Sequence, residues 1–136
     1  MLDVLRQLKN EMNFEIYVVH INHNIRGKDA DEDEKYVKRY CQKYNIKCFS
    51  RKIDVPTIAR NEKIGTEEAG RKVRYEYFDE ILKETNSNKI AIAHNKKDNC
   101  ETVLMHFMRG SGLAGLTGIR AYSEKKYIRP LIECSR

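Results

Sequence analysis

Helical and extended hydrophobic patterns alternate along this chain, and the alternation limits the architectures open to it. Leu2, Val4, Leu5 and Leu8 recur at helical spacing from the first residue. Phe14-Glu-Ile-Tyr-Val-Val-His-Ile21 is dense in β-branched and aromatic residues and predicts a buried strand. Tyr36, Val37, Tyr40, Cys41 and Tyr44 predict a helix over 31–44, with acidic residues in the first turn where the helix dipole favours them. A second strand is expected over 46–53, then a loop through Asp54-Val-Pro56. A helix follows with Thr66 as N-cap, Glu67 and Glu68 in its first turn, and Val73, Tyr77, Phe78, Ile81 and Leu82 along one face. After the break at Asn86-Ser-Asn88, Lys89-Ile-Ala-Ile-Ala93 predicts a third strand. A last helix carries Val103, Leu104, Phe107 and Met108. Strands separated by helices build βαβ units, so one α/β domain is expected: a doubly wound, mostly parallel sheet with helices on both faces.

Composition narrows the partners. The 136 residues carry a formal charge of +6, although Asp29, Asp31, Glu32, Asp33 and Glu34 form one acidic block, read as a helix start. The remainder is more basic than the total suggests and suits phosphate-rich partners. Cysteines at 41, 48, 100 and 134 make no CxxC pair, which disfavours a zinc ribbon, an iron-sulfur site or a disulfide framework. No signal peptide and no apolar run of about 20 residues is present. A reducing, cytoplasmic setting without a membrane partner is expected.

In an open α/β sheet, ligands bind beyond the carboxyl ends of the strands. The first strand is followed by His20, Asn22, His23 and Arg26, and the third by His94, Asn95, Lys96, Lys97 and Asp98. Asp98 and Glu101 stand at the spacing of a capping box, and also at a spacing at which two carboxylates on a helix could hold Mg2+ beside phosphates. Arg71 and Arg74 lie one helical turn apart and could clamp one anion through paired hydrogen bonds, or form a solvated pair. Gly110-Ser-Gly-Leu-Ala-Gly115 spells GxGxxG, but a dinucleotide fingerprint needs a strand before the first glycine, and here a helix precedes it. Gly110 reads instead as the residue just past a helix end, with Arg109 in the last turn, and Gly112, Gly115 and Gly118 as a tight loop.

Taken together these segments resemble the tRNA(Ile)-lysidine synthetases, formerly called the cell-cycle protein MesJ. Val19-His-Ile-Asn-His-Asn-Ile-Arg-Gly27 resembles the family's VHxNHxLRG element, and Glu67-Glu-Ala-Gly-Arg-Lys-Val-Arg-Tyr75 its ExxARxxRY helix. Ala93-His-Asn-Lys-Lys-Asp-Asn-Cys-Glu-Thr102 with Arg109-Gly-Ser-Gly112 and Gly115-Leu116 resembles AHHxDDQxET...RGSGxxGL, and Ile128-Arg-Pro-Leu131 the closing segment of the catalytic domain. The resemblance implies an N-type ATP pyrophosphatase domain of the adenine nucleotide alpha hydrolase-like fold. It implies adenylation of an anticodon cytidine of isoleucine tRNA at C2 by ATP with Mg2+, and displacement of AMP by free lysine. It assigns catalytic roles to His94, Asp98 and Glu101, with Asp98 and Glu101 also holding the metal. It places His20, Asn22, His23, Arg26, Arg71, Arg74, Arg109 and Gly110 against nucleotide, phosphate or RNA.

The family's SGGxDS phosphate loop is expected directly before a segment like Met1-Leu2-Asp3-Val4-Leu5, and tRNA-binding domains are expected after Pro130. The chain therefore reads as part of a catalytic domain, incomplete at the N-terminus, with little pyrophosphatase activity alone. An exposed sheet edge is expected, open to pairing in a homodimer. Asn95, Gly70 and Lys97 depart from the family's histidine, alanine and acidic residue. The rival readings are a sulfur-transferring tRNA enzyme of the same fold, a non-catalytic nucleotide- or RNA-binding module, and, if a strand precedes Gly110, an NAD-dependent oxidoreductase.

Overall fold

The computed structural model describes residues 1–25, 27–112 and 116–135, and the helix-strand alternation is present in it. The order is α1 (Leu2–Met12), β1 (Tyr17–Asn22), α2 (Lys28–Lys43), β2 (Lys47–Lys52), α3 (Val55–Glu62), α4 (Thr66–Glu84), β3 (Ile90–Ala91), α5 (Lys96–Met108), β4 (Tyr122–Ser123) and β5 (Tyr127–Ile128). No helix among the described residues is long and apolar enough to cross a membrane. The chain divides into two compact units, Leu5–Thr85 and a second made of Met1–Val4 with Asn86–Arg136.

In the Leu5–Thr85 unit, β1 and β2 pair in parallel, from Tyr17 opposite Lys47 to Asn22 opposite Lys52. Helix α2 connects them and packs on both strands, the βαβ arrangement that the alternation predicts. Its acidic first half is tied to the strands by side chains. Asn22, 2% exposed at the end of β1, donates from Nδ2 to Asp31 Oδ1 at 2.8 Å and Glu34 Oε2 at 3.2 Å. Its Oδ1 accepts the Asn24 backbone N–H at 3.0 Å. Glu34 Oε1 also accepts from Ser50 Oγ on β2 and from Lys38 Nζ, both at 2.6 Å, and Lys52 Nζ sits 2.8 Å from Asp31. A buried amide is costly when its donors and acceptor lack partners. Here all of them are satisfied, and the acidic block serves this junction as well as the helix dipole.

Helix α3 stands where a loop through Asp54-Val-Pro56 is expected. Asp54 is its N-cap, accepting Thr57 N–H at 3.2 Å and the Thr57 hydroxyl at 2.7 Å, and Pro56 falls in the first turn, where its missing N–H has no intrahelical role. Asp followed two residues later by Pro is thus a helix start rather than a turn. Val55 and Ala59 of α3 meet Ala69 and Val73 of α4 in a small core flanked by Ile53, Ile58 and Ile64. The buried face of α4 runs Ala69, Gly70, Val73, Tyr77 and Ile81, in line with the periodicity, but Gly65 rather than Thr66 is its N-cap. Arg51 of β2 makes a two-pronged contact with Glu80 at 2.6 Å while its guanidinium lies 4.1 Å from the Tyr77 ring centre.

In the second unit β3 is shorter than its expected 89–93. It pairs in parallel with β5, which pairs antiparallel with β4. The β4–β5 turn places Glu124 and Lys125 both at positive φ, the type I′ geometry that suits a twisted hairpin. Glu-Lys lacks the Asn-Gly signal of such turns, and no hairpin is expected from it. The described strands thus pair in two groups, β1–β2 in parallel and β3–β5–β4 mixed, in keeping with an α/β chain.

Helix α5 ends in a Schellman motif. Arg109 is the C-cap, Gly110 at φ 70° donates to Phe107 O at 3.0 Å, and Ser111 N–H donates to His106 O at 3.0 Å. Gly110 follows a helix, as its sequence context requires, and not the strand that a dinucleotide fingerprint needs before its first glycine; residues 113–115 lie outside the described residues. The apolar positions of α5 are mostly uncovered: Leu104, Phe107 and Met108 are 60%, 69% and 84% exposed.

Candidate active site

The residues assigned to chemistry fall into two groups, one in each unit. In the Leu5–Thr85 unit, Val19, His20, Ile21 and His23 of the β1 end meet Arg74 and Phe78 of α4 around a cavity of about 300 Å³. Arg74 Nη2 is 3.3 Å from His23 Nε2. A guanidinium only donates, so Nε2 must accept and the neutral ring carries its proton on Nδ1. That Nδ1 is buried and has no hydrogen-bond partner. Burial above all, then the charges of Arg74 and His20, holds the His23 pKa below its usual value of 6.5. The site thus presents a neutral imidazole beside a fixed positive charge, a pairing suited to an anionic ligand.

Two described neighbours do not join this cavity. The Asn22 amide is satisfied within the β1–α2 junction. Arg71 lies with its guanidinium 5.4 Å from the Tyr75 ring centre, so the two arginines one turn apart do not share a partner. Arg26 lies outside the described residues. Gly70 packs against this group: a Cβ there would stand 3.7 Å from two His23 ring atoms and from Val55 Cγ1, ordinary contact distances.

In the second unit the turn between β3 and α5 carries His94 and Asn95, and the first turn of α5 carries Asp98. The capping box is Asn95 with Asp98, not Asp98 with Glu101. Asn95 Oδ1 accepts Lys97 N–H at 2.8 Å and Asp98 N–H at 3.2 Å, and Asp98 Oδ2 accepts the Asn95 N–H at 2.8 Å. The box begins three residues earlier because the helix starts at Lys96. Asp98 therefore sits at N3, with one carboxylate oxygen in the cap. Glu101 is exposed, 3.7 Å from Lys97 Nζ. An exposed pair at that distance contributes about 0.5 kcal/mol or less, so Lys97 does not lock Glu101 away from another cation.

Among the described residues no group of three His, Cys, Asp or Glu side chains could hold a metal ion. Two neighbouring carboxylates are nevertheless the donor set that Mg2+ uses when phosphates and water complete its shell, because the ion is hard and retains water. Asp98 and Glu101, three positions apart on α5, could contribute to such a shared ion but would not make a closed protein cage.

Sequence reasoning assigned no role to Arg129. It is 8% exposed, and its Nε donates to His94 Nδ1 at 3.1 Å. No local signal in Ile128-Arg-Pro-Leu131 marks the arginine as buried. Arg109 and Gly110 terminate α5, as described above. Close backbone approach to α5 is made by Gly118: an added Cβ would overlap Asn99 Oδ1, which accepts the Ile119 N–H at 2.7 Å.

Cys41 and Cys48 come together although no motif links them. Burial raises both thiols, Cys48 to about 11. A carrier thiol needs thiolate character near neutral pH.

The chain matches three proteins named tRNA(Ile)-lysidine synthase, each across all 136 of its residues. It is 52% identical to that of Clostridium tetani, 46% to that of Clostridium acetobutylicum and 47% to that of Caldanaerobacter subterraneus. It spans 29%, 30% and 29% of their respective lengths. The family described as the PP-loop domain matches residues 1–136, and the chain belongs to that family.

Proposed function

We propose that this chain is part of a tRNA-modifying ligase. The enzyme activates an anticodon cytidine of isoleucine tRNA with ATP and replaces the resulting AMP by free lysine, within a doubly wound nucleotide-binding fold. The observation that carries the reading is the similarity over all 136 residues to proteins named tRNA(Ile)-lysidine synthase. The chemistry of both residue groups agrees with it. His23 and Arg74 offer a neutral ring and a guanidinium to an anion, and His94 and Asp98 stand at the N-terminus of a helix, where anions are favoured.

In this reading Mg2+ held by Asp98 and Glu101 would offset charge on the phosphates of ATP. His94 serves as a hydrogen-bonding group at the reacting phosphate, and Arg74 binds a phosphate oxygen of nucleotide or RNA. Asn22 acts at one remove, by holding the β1 end that carries His20 and His23. The two raised thiols speak against the sulfur-transferring alternative.

The test replaces the matching segment of the Clostridium tetani relative with these 136 residues and measures ATP-dependent incorporation of labelled lysine into isoleucine tRNA. Incorporation that Asp98→Asn reduces at least about a hundredfold, the scale of one transition-state electrostatic contact, is expected. A folded chimera that binds tRNA and ATP but incorporates no lysine would refute the assignment.

A further inference from the structure

Arg129 follows β5, and its place is set by the backbone, its N–H donating to Ala121 O at 2.9 Å. A guanidinium this buried is costly unless its donors find acceptors, and it stays protonated. Nη1 donates to Arg120 O at 2.7 Å and to Ser123 Oγ at 3.1 Å, and Nε donates to His94 Nδ1 at 3.1 Å. These three acceptors are uncharged, and two belong to the β4 hairpin and the segment leading into it. The third is the histidine beside the α5 N-terminus. Since Nε is a donor, His94 Nδ1 must present a lone pair. A proton on Nδ1 would set two N–H groups against each other at 3.1 Å.

We propose that Arg129 is a positioning residue for His94, holding its imidazole neutral with the proton on Nε2. His94 then donates a hydrogen bond from Nε2 and does not act as a proton acceptor at Nδ1 while the contact lasts. This is the opposite tautomer to His23, whose Nε2 faces Arg74. The consequence for chemistry rests on the reading of His94 as a group of the adenylation site: a preset donor suits charge growing on a phosphate oxygen, without reorganisation at the moment of reaction.

The test is long-range proton-nitrogen NMR on the 136-residue chain at neutral pH, with its four histidines labelled with nitrogen-15 and His94 identified by loss of its signals in His94→Gln. The expected spectrum has Nδ1 of His94 unprotonated and Nε2 protonated. A protonated Nδ1, alone or in an imidazolium, would overturn the proposal in the wild-type chain. Arg129→Met is expected to turn the single tautomer into a mixture while the other three histidines keep their signals. Arg129→Lys, which keeps the charge and lacks the Nε donor, covers the case in which the methionine variant fails to fold. A wild-type tautomer in the folded lysine variant would likewise overturn it. A His94→Gln chimera that still incorporates lysine at the wild-type rate would sink the adenylation reading alone, since the tautomer is read without turnover.

Discussion

Glu34→Gln removes one charge from the β1–α2 junction with almost no change in shape. The Glu34 carboxyl is held down from 4.5 to about 2, first by the Lys38 ammonium, then by the Ser50 hydroxyl and more weakly by the Asn22 amide, with burial opposing them. At about 1.4 kcal/mol for each tenfold change in proton affinity, that depression corresponds to roughly 3 kcal/mol of stability at neutral pH. Lys38 is 55% exposed, so solvent screens its share, and about 2 kcal/mol is the better expectation. Lys38 itself is raised by the same contact, which is counted once. The unfolded carboxyl takes up its proton near the ordinary value and the folded one only near 2. The contribution is therefore full above about pH 5 and disappears as pH falls through the interval between those values. Urea unfolding should find Glu34→Gln less stable than wild type by about 2 kcal/mol at about pH 7, and within about 0.5 kcal/mol of it near pH 2. A gap that stays constant across this range, or none at neutral pH, would refute the account of the junction.

Gly70→Ala should stabilise the chain by about 0.5–1 kcal/mol, because an interior helical glycine carries an entropic cost and the new methyl meets His23 and Val55 at 3.7 Å. A lower Tm in calorimetry would contradict the packing of His23 against α4. Gly118→Ala, at φ 60° with Asn99 in the way, should lose about 2–4 kcal/mol through left-handed strain and disruption of the Asn99–Ile119 hydrogen bond, and chemical denaturation will measure it. Arg74→Met removes one of the charges that hold the His23 pKa down, so its NMR titration midpoint should rise toward 6.5, short of it because burial remains. Since the unfolded ring takes up its proton first as pH falls, wild type loses stability below about pH 6.5, and the variant should lose less; an unmoved midpoint would contradict the pairing.

Which segments form helices and strands was largely legible, because burial on one face imposes a period on the residues themselves. The Val73–Tyr77–Ile81 face of α4, most of the strand expected over 14–21, which forms as Tyr17–Asn22, and the helix end at Gly110 all follow from local pattern. The misses have local causes too: a loop is expected through Asp54-Val-Pro56, where Asp54 is a cap and Pro56 a first-turn proline, and the Glu124-Lys125 turn lacks its usual residues. The family resemblance also rested on order along the chain, and the match across residues 1–136 agrees with it.

Sequence alone determined the alternation, the motif order and the set of polar residues gathered at strand ends, because these depend on neighbours within a few positions. Only the tertiary structure decided what each polar atom does. Asn22 and Asn95 carry side chains of the same kind at comparable strand ends, yet one closes a buried junction with α2 and the other caps α5. His23 and His94 are each held by an arginine, through opposite ring nitrogens. Asn95 makes its cap with residues two and three positions on, whereas the side-chain partners of Asn22, His23 and His94 lie 9 to 51 residues away, Asp31 for Asn22 and Arg74 for His23 at the extremes. No local pattern encodes a hydrogen bond that exists only after the chain has folded back on itself.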